Sequence, residues 1–278
     1  MKRLGLYILF SVGLMYYAHA QRLKCMVKLP SVLRENSVIA KYSDCVLYFI
    51  NDGGGGASLY RYDLSSDSWS VRHISDAQNR DWEELTTDDT GNVYIGDFGN
   101  NYNARKDLFI YKIVHPEMEG EEYTEKITFT YSNQKAFPTP LNQQNFDCEA
   151  MVWYADSIYL FTKNRTTPFD GWSYMYVLPA TGGDHKAQLR DSVLIKGVIK
   201  ELGGITSADV RGDSLVLLSS NKVLLDVGFG THPLGHMKWK QYKIHLSQKE
   251  TILFAGRDYR YVSDEYRLIG NKLYRFKL

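Results

Sequence analysis

Glu83, Glu149 and Glu250 each open a short apolar run, EELTT, EAMVWY and ETILF, and Asp81 and Asp147 stand two residues before the first two. Carboxylates gathered from separate stretches of chain can do one of three things. They can hold a hard cation such as Ca2+, which takes roughly six to eight oxygen ligands. They can raise one another's pKa and supply a general acid or base. They can also bond backbone amides of a neighbouring strand and lock its packing. On the first reading Glu83, Glu149 and Glu250 are the metal ligands and Ca2+ the cofactor.

A second polar set follows the next apolar run in each case. Asp52, Asp97, Asn101, Arg105, Lys163 and Arg165 are its candidates for ligand binding, accompanied by Asn51, Asn100, Asn164, Asn221, Lys222, Asp264 and Glu265. The segment GDFGNNYNAR (96–105) could grip a polar ligand, or could be a long turn with Asn and Gly in left-handed conformations. NDGGGG (51–56) lacks the following helix that a phosphate loop needs, and reads as a flexible turn. His232 and His236 flank Pro233 and Gly235, which preclude the helix that would align two zinc-binding imidazoles. There is no Gly-x-Ser-x-Gly elbow, and Cys148 has no neighbouring His.

The elements that must position these residues form a repeat. The pairs SVIAKYSDCVLYFIND, EELTTDDTGNVYIGDFG, EAMVWYADSIYLFTKNR, TSADVRGDSLVLLSSNK and ETILFAGRDYRYVSDEY place Ser37, Glu83, Glu149, Thr206 and Glu250 at one shared position, at spacings of 46, 66, 57 and 44. Each pair is two β-branched and aromatic strands across a polar turn. Third strands follow in SLYRYDL, DLFIYKIV, SYMYVLPA, KVLLDV and KLYRFKL, and fourth strands in SWSVRHI, KITFTYS, DSVLIKGV and KWKQYKIHL. Repeated four-stranded units predict an all-β fold, a β-propeller. The last unit, Glu250 to Leu278, holds only three strands, and the N-terminal segment Leu23 to Leu29 can supply its fourth. This favours five blades; six would require about 43 residues in each. The 66-residue spacing and the stretch Val227 to Met237 fit the pattern least, and a β-sandwich is disfavoured by the shared register.

Residues 1–20 combine Lys2 and Arg3, an uncharged run from Leu4 to Ala18 and the end Ala18-His19-Ala20, which predicts a secretory signal peptide cleaved before Gln21. The run falls short of the ~20 residues of a membrane span. Residues 21–278 then form one exported domain, periplasmic or extracellular, with no membrane span and expected as a monomer. Its charge is nearly balanced, since the whole chain carries 33 basic and 32 acidic residues, which removes the electrostatic case for nucleic acid. Three cysteines, Cys25, Cys45 and Cys148, leave room for none or one disulfide.

The constellation NDGG, DWEEL, GDFGNN, FDCEAM, FTKNR and ETILF…VSDE resembles exported bacterial β-propellers of the SdiA-regulated and esterase-like-phytase type. In that group inner strands often begin Asp-x-Glu. Asp81-Trp82-Glu83 and Asp147-Cys148-Glu149 match, Glu250 matches without the Asp, and Ser37 and Thr206 depart. The resemblance implies a polar central site able to take Ca2+. The expected function is binding of a small polar ligand, glycan or protein loop over the channel, the alternative a Ca2+-dependent hydrolase of phosphate esters or lactones.

Overall fold

The computed structural model describes residues 22–118, 123–195, 203–220, 222–244, 249–264 and 271–278. The leader, Asn221 and Glu265 lie outside them. The first unit comprises β2 (Asn36–Lys41), β3 (Val46–Asn51), β4 (Ser58–Asp63) and β5 (Ser68–His73). The second comprises β6 (Trp82–Thr87), β7 (Val93–Asp97), β8 (Leu108–Val114) and β9 (Tyr123–Tyr131), and the third β10 (Asp147–Tyr154), β11 (Ser157–Lys163), β12 (Trp172–Pro179) and β13 (Gly183–Leu194). The fourth holds β14 (Ile205–Arg211), β15 (Ser214–Ser219), β16 (Lys222–Val227) and β17 (Lys240–Lys243). The last holds β18 (Lys249–Phe254), β19 (Tyr259–Asp264) and β20 (Lys272–Lys277), and β1 (Lys24–Lys28) pairs antiparallel with β20 to complete it.

Each unit is an antiparallel meander. The inner strands β2, β6, β10, β14 and β18 are neighbours in a closed cycle, so the described residues form a five-bladed propeller. The N-terminal strand closes the ring where the sequence places it and covers the edge that β20 would otherwise expose.

Continuous apolar runs such as VLYFI arise because both faces of every blade are buried. Val46, Tyr48 and Ile50 pack against the second blade, whereas Leu47 and Phe49, turned the other way by the strand's two-residue period, pack against the last. The core is accordingly divided into separate apolar clusters, each filling one interface between adjacent blades.

Hydroxyls tie inner strands together at three of these interfaces. Thr86 Oγ1 accepts from Trp153 N (3.2 Å), Ser207 Oγ from Ile252 N (3.2 Å) and Thr251 Oγ1 from Ile39 N (3.0 Å). The packing role considered for the aligned glutamates is thus filled by residues further along the strand.

Two expectations need correction in detail. β13 begins eight residues before DSVLIKGV, because its early part, GDHKAQLR, pairs in parallel with the outer strand β9 of the preceding blade. That edge-to-edge pairing merges the second and third blades into one eight-stranded sheet. The 66-residue spacing is absorbed partly by a long loop, 132–146, between β9 and β10.

Candidate functional site

Each inner strand carries a β-bulge at its start. The register slips between Asn36 and Val38, Trp82 and Glu84, Cys148 and Ala150, Ile205 and Ser207, and Lys249 and Thr251. The extra residue is Ser37, Glu83, Glu149, Thr206 or Glu250, the aligned set. A bulge frees its residue from the ladder and re-aims its side chain, which is why bulges recur beside functional sites. Ser37 and Thr206 are buried, and Thr206 Oγ1 donates to Lys249 O (3.1 Å).

The acidic bulge residues converge. Ligand-capable oxygens of Asp52, Asp81 and Glu83 all lie within 4.8 Å of one another. Asp52 comes from the loop after β3, Asp81 and Glu83 from the start of β6. Two glycines permit this crowding. A Cβ at Gly99 would stand 2.3 Å from Asp81 Oδ2 and 2.6 Å from Glu83 Oε1, and one at Gly53 would stand 2.5 Å from Arg80 O and 3.0 Å from Asp81 Oδ1. NDGGGG is therefore more than a flexible turn: its first glycine is required against Asp81.

Burial, followed by the charges of Asp52 and Asp147, pushes Asp81 up to about 6. Burial and then Glu149, Asp52 and Asp81 raise Glu83 well above the usual carboxylate range. Burial also raises Asp52, against the pull of the Gly53 N–H. These directions describe a trio whose negative charge is under-compensated.

The basic residues of the mouth are engaged one blade on. Arg165 Nε donates to Asp147 Oδ2 (2.6 Å) and Arg165 Nη2 to Glu149 Oε1 (2.7 Å), while Lys163 Nζ donates to Glu149 Oε2. The Asn100 N–H completes Asp147 at 2.7 Å. Lys163 crosses in front of Gly204, where a Cβ would collide with its Cγ at 2.2 Å. Burial pushes Glu149 up to about 8, Lys163 and Arg165 pulling it down and Asp147 and Glu250 pushing it up. Burial would lower Lys163, yet Glu149 and Glu250 outweigh it and raise that ammonium above its ordinary range. Glu250, partly buried, is thus within electrostatic reach of Glu149 and Lys163.

The remaining predicted residues lie beneath or outside this cluster. Asp97 is fully buried and accepts from Arg105 Nη2 (2.8 Å) and the Arg80 N–H (3.1 Å). Arg105 also donates to the carbonyls of Gly99 (2.9 Å) and Asp107 (3.0 Å), so the pair braces the loop from below. Asn101 is exposed at the turn tip. It is Asn100 that organises the turn, its Oδ1 accepting from Ala104 N and Arg105 N. Asp264 faces Lys249 at 3.7 Å in a buried pair. The cysteines form no disulfide, and Cys148 is buried.

Sequence reasoning missed Glu84. Fully buried, it accepts from Leu85 N (3.0 Å) and from Ala208 N (3.3 Å) on the fourth blade's inner strand. The second and fourth blades are not neighbours, so this carboxyl bridges the channel, and burial raises it well above the usual carboxylate range, against the pull of the Leu85 and Ala208 N–H groups. Two consecutive glutamates in one strand, WEEL, were the available signal: alternation must send them in different directions. At the far end of the channel the inner strands surround a cavity of about 670 Å3. Of the four aspartates in its lining, Asp88 accepts from the Asn92 and Thr90 N–H groups, Asp209 from the Phe254 and Val210 N–H groups and Asp44 from Lys41 Nζ.

A scan against protein-family models finds no match, and a search of curated proteins finds no relative. Solved structures do match. The PQQ-bound aldose sugar dehydrogenase of Streptomyces coelicolor is similar with a TM-score of 0.51 at 10% identity, over 93% of this chain and 98% of that one. A protein proposed to be a gluconolactonase gives 0.46 at 10% identity over 84% and 70%, and PorZ, a surface component of the type-IX secretion system of Porphyromonas gingivalis, gives 0.40 at 11% over 87% and 32%. At these identities the dehydrogenase supports the fold alone. No helix of the described residues is long and apolar enough to cross a membrane.

Proposed function

We propose that this chain is an exported β-propeller that binds Ca2+ through Asp52, Asp81 and Glu83 and, beside it, a small polar ligand over the channel mouth. One observation carries the reading. Three carboxylates are crowded within 4.8 Å while the neighbouring Lys163 and Arg165 already serve Glu149 and Asp147. A hard divalent ion is the compensation such a set calls for. Ca2+ takes its ligands from carboxylate and carbonyl oxygens, which is the chemistry these three side chains offer. Lys163 and Arg165 pair with Glu149, and Glu250 lies outside the crowded trio, so this assignment keeps Glu83 from the aligned set and replaces the other two with Asp52 and Asp81.

The DWE and DCE strand starts support kinship with the SdiA-regulated and esterase-like-phytase propellers, and the leader supports export to the periplasm or beyond. Thermal melting of residues 21–278 in EDTA and in excess Ca2+ tests the metal. At a hundred times Kd the ion adds about 2.7 kcal/mol, which for a chain of this size raises Tm by roughly 5–10 °C. No shift would remove the metal from the account.

A hydrolytic reading has one observation in its favour. Glu149, raised to about 8, exchanges a proton near neutral pH and lies within electrostatic reach of Glu83, so it would pass that proton to a leaving oxygen. Lactones fit this better than phosphate esters, whose phosphate needs cations that Asp147 and Glu149 already occupy. A panel of chromogenic lactones and phosphate esters with Ca2+ decides between them; silence across it leaves binding.

A further inference from the structure

Three loops lean on one another beside the charged cluster. Thr139 N donates to Asn103 O (3.1 Å), Arg165 N to Gln144 O (2.9 Å) and Thr167 N to Leu141 O (2.8 Å), tying segments 99–105, 132–146 and 164–171 together. Between the last two lies a pocket of about 280 Å3. Its walls are continuous with the cluster, since Asn145 and Phe146 lead into Asp147 and Thr166 follows Arg165.

The lining is dominated by uncharged hydrogen-bonding groups: Asn133, Asn142, Gln143, Asn145, Thr166 and Tyr174. Its charged members offer little to an ion. Asp170 Oδ1 accepts from Asn164 Nδ2 (2.6 Å) and Trp172 N (3.1 Å), and Lys135 Nζ reaches Ser132 O (3.4 Å). The deep wall is rigid. Asn145 is buried, donating to Trp172 O (2.7 Å) and accepting from Thr162 Oγ1 (2.6 Å). Toward solvent, Asn142 and Gln143 use neither side-chain amide in an internal bond among the described residues. Two aromatic rings, Phe146 and Tyr174, complete the lining.

An anion would find too few free cations here, and an apolar molecule would strand the amides at a cost of about 1–3 kcal/mol for each group left unpaired. Amides, hydroxyls and the Tyr174 ring together suit a ligand with many hydroxyls and an apolar ring face. We infer that this pocket is a subsite for one neutral sugar ring. The inference rests on the proposal that this face of the propeller is the ligand face, and it names the ligand class. It does not rest on the cation.

The test is saturation-transfer NMR and calorimetry of residues 21–278 with methyl glycosides of glucose, galactose, mannose and N-acetylglucosamine at millimolar concentrations, in EDTA and again in Ca2+. At least one sugar binds in EDTA, and the double substitution Asn142→Ala with Gln143→Ala weakens it about tenfold while leaving Tm unchanged. Absence of binding under both conditions overturns the subsite, as does binding that the double variant leaves untouched. A protein that binds sugar without any Ca2+-dependent melting shift retains the subsite and loses the metal; the converse result does the opposite.

Discussion

Raising the pH from 5 to 9 in EDTA should destabilise this protein, and Glu149 should account for part of the loss. Its pKa is raised from an ordinary 4.5 to about 8 by burial against the incomplete compensation of Lys163 and Arg165. A carboxyl raised on folding favours the folded state fully below its unfolded pKa, and that contribution is lost as pH climbs through the folded value. At about 1.4 kcal/mol per pH unit the interval sets an upper limit of roughly 5 kcal/mol, a large share of a typical total stability of about 5–15 kcal/mol. Asp81, raised to about 6, and Glu83 act in the same sense. Asp63 and Asp88, which are lowered, titrate below this window. Urea unfolding at successive pH values measures the effect. Glu149→Gln removes the titrating group, so the decline above pH 6 should flatten; at pH 6 it should cost about 1–3 kcal/mol, because the amide NH2 sets a donor against Lys163 or Arg165. Wild-type stability that holds or rises between pH 5 and 8, or a variant whose stability declines as steeply as the wild type, would refute the reasoning.

Other expectations follow from the same geometry. Gly99→Ala places a methyl on the Asp81 and Glu83 carboxylates and should lower stability by about 1–3 kcal/mol and cation affinity by roughly 10–100-fold, both read by melting with and without Ca2+. Glu84→Ala strands the Leu85 and Ala208 N–H groups and should cost about 1–3 kcal/mol for each, with Glu84→Gln, whose single oxygen can serve only one of them, recovering at most about half in urea unfolding. Deleting residues 21–28 removes β1 and bares β20, so the truncated protein should melt earlier and self-associate by light scattering.

The blade repeat was legible because the inner strands of each blade face two interfaces, and that demand writes unbroken apolar runs such as VLYFI and LVLL into the chain. Register was legible further than expected. The residues aligned by pattern alone are the bulged ones, since a bulge interrupts each strand at the same place. What the pattern could not carry was the partner of each carboxylate. Glu83, Glu149 and Glu250 are equivalent by repeat, yet Lys163 and Arg165 emerge from the third blade only and neutralise Glu149, so the repeat's symmetry is broken by residues outside it. Asp52 was visible as a candidate, but its meeting with Asp81 depends on Gly53 and Gly99, whose need is a close approach between loops that only the fold defines. GDHKAQLR failed to read as strand because an outer edge strand needs no apolar face, and its parallel partner β9 lies more than fifty residues away.

The central claim is that Asp52, Asp81 and Glu83 gather for a divalent cation. Calorimetric titration of Ca2+ into metal-stripped residues 21–278 at pH 6, in buffers of different ionisation enthalpy, addresses it most directly. With Asp81 near 6 and Glu83 higher, carboxyls must deprotonate to become ligands, so binding of one ion should release about one proton or more, and Asp81→Asn should abolish it. Saturable binding without proton release, binding that survives Asp81→Asn, or no heat at all would contradict the account.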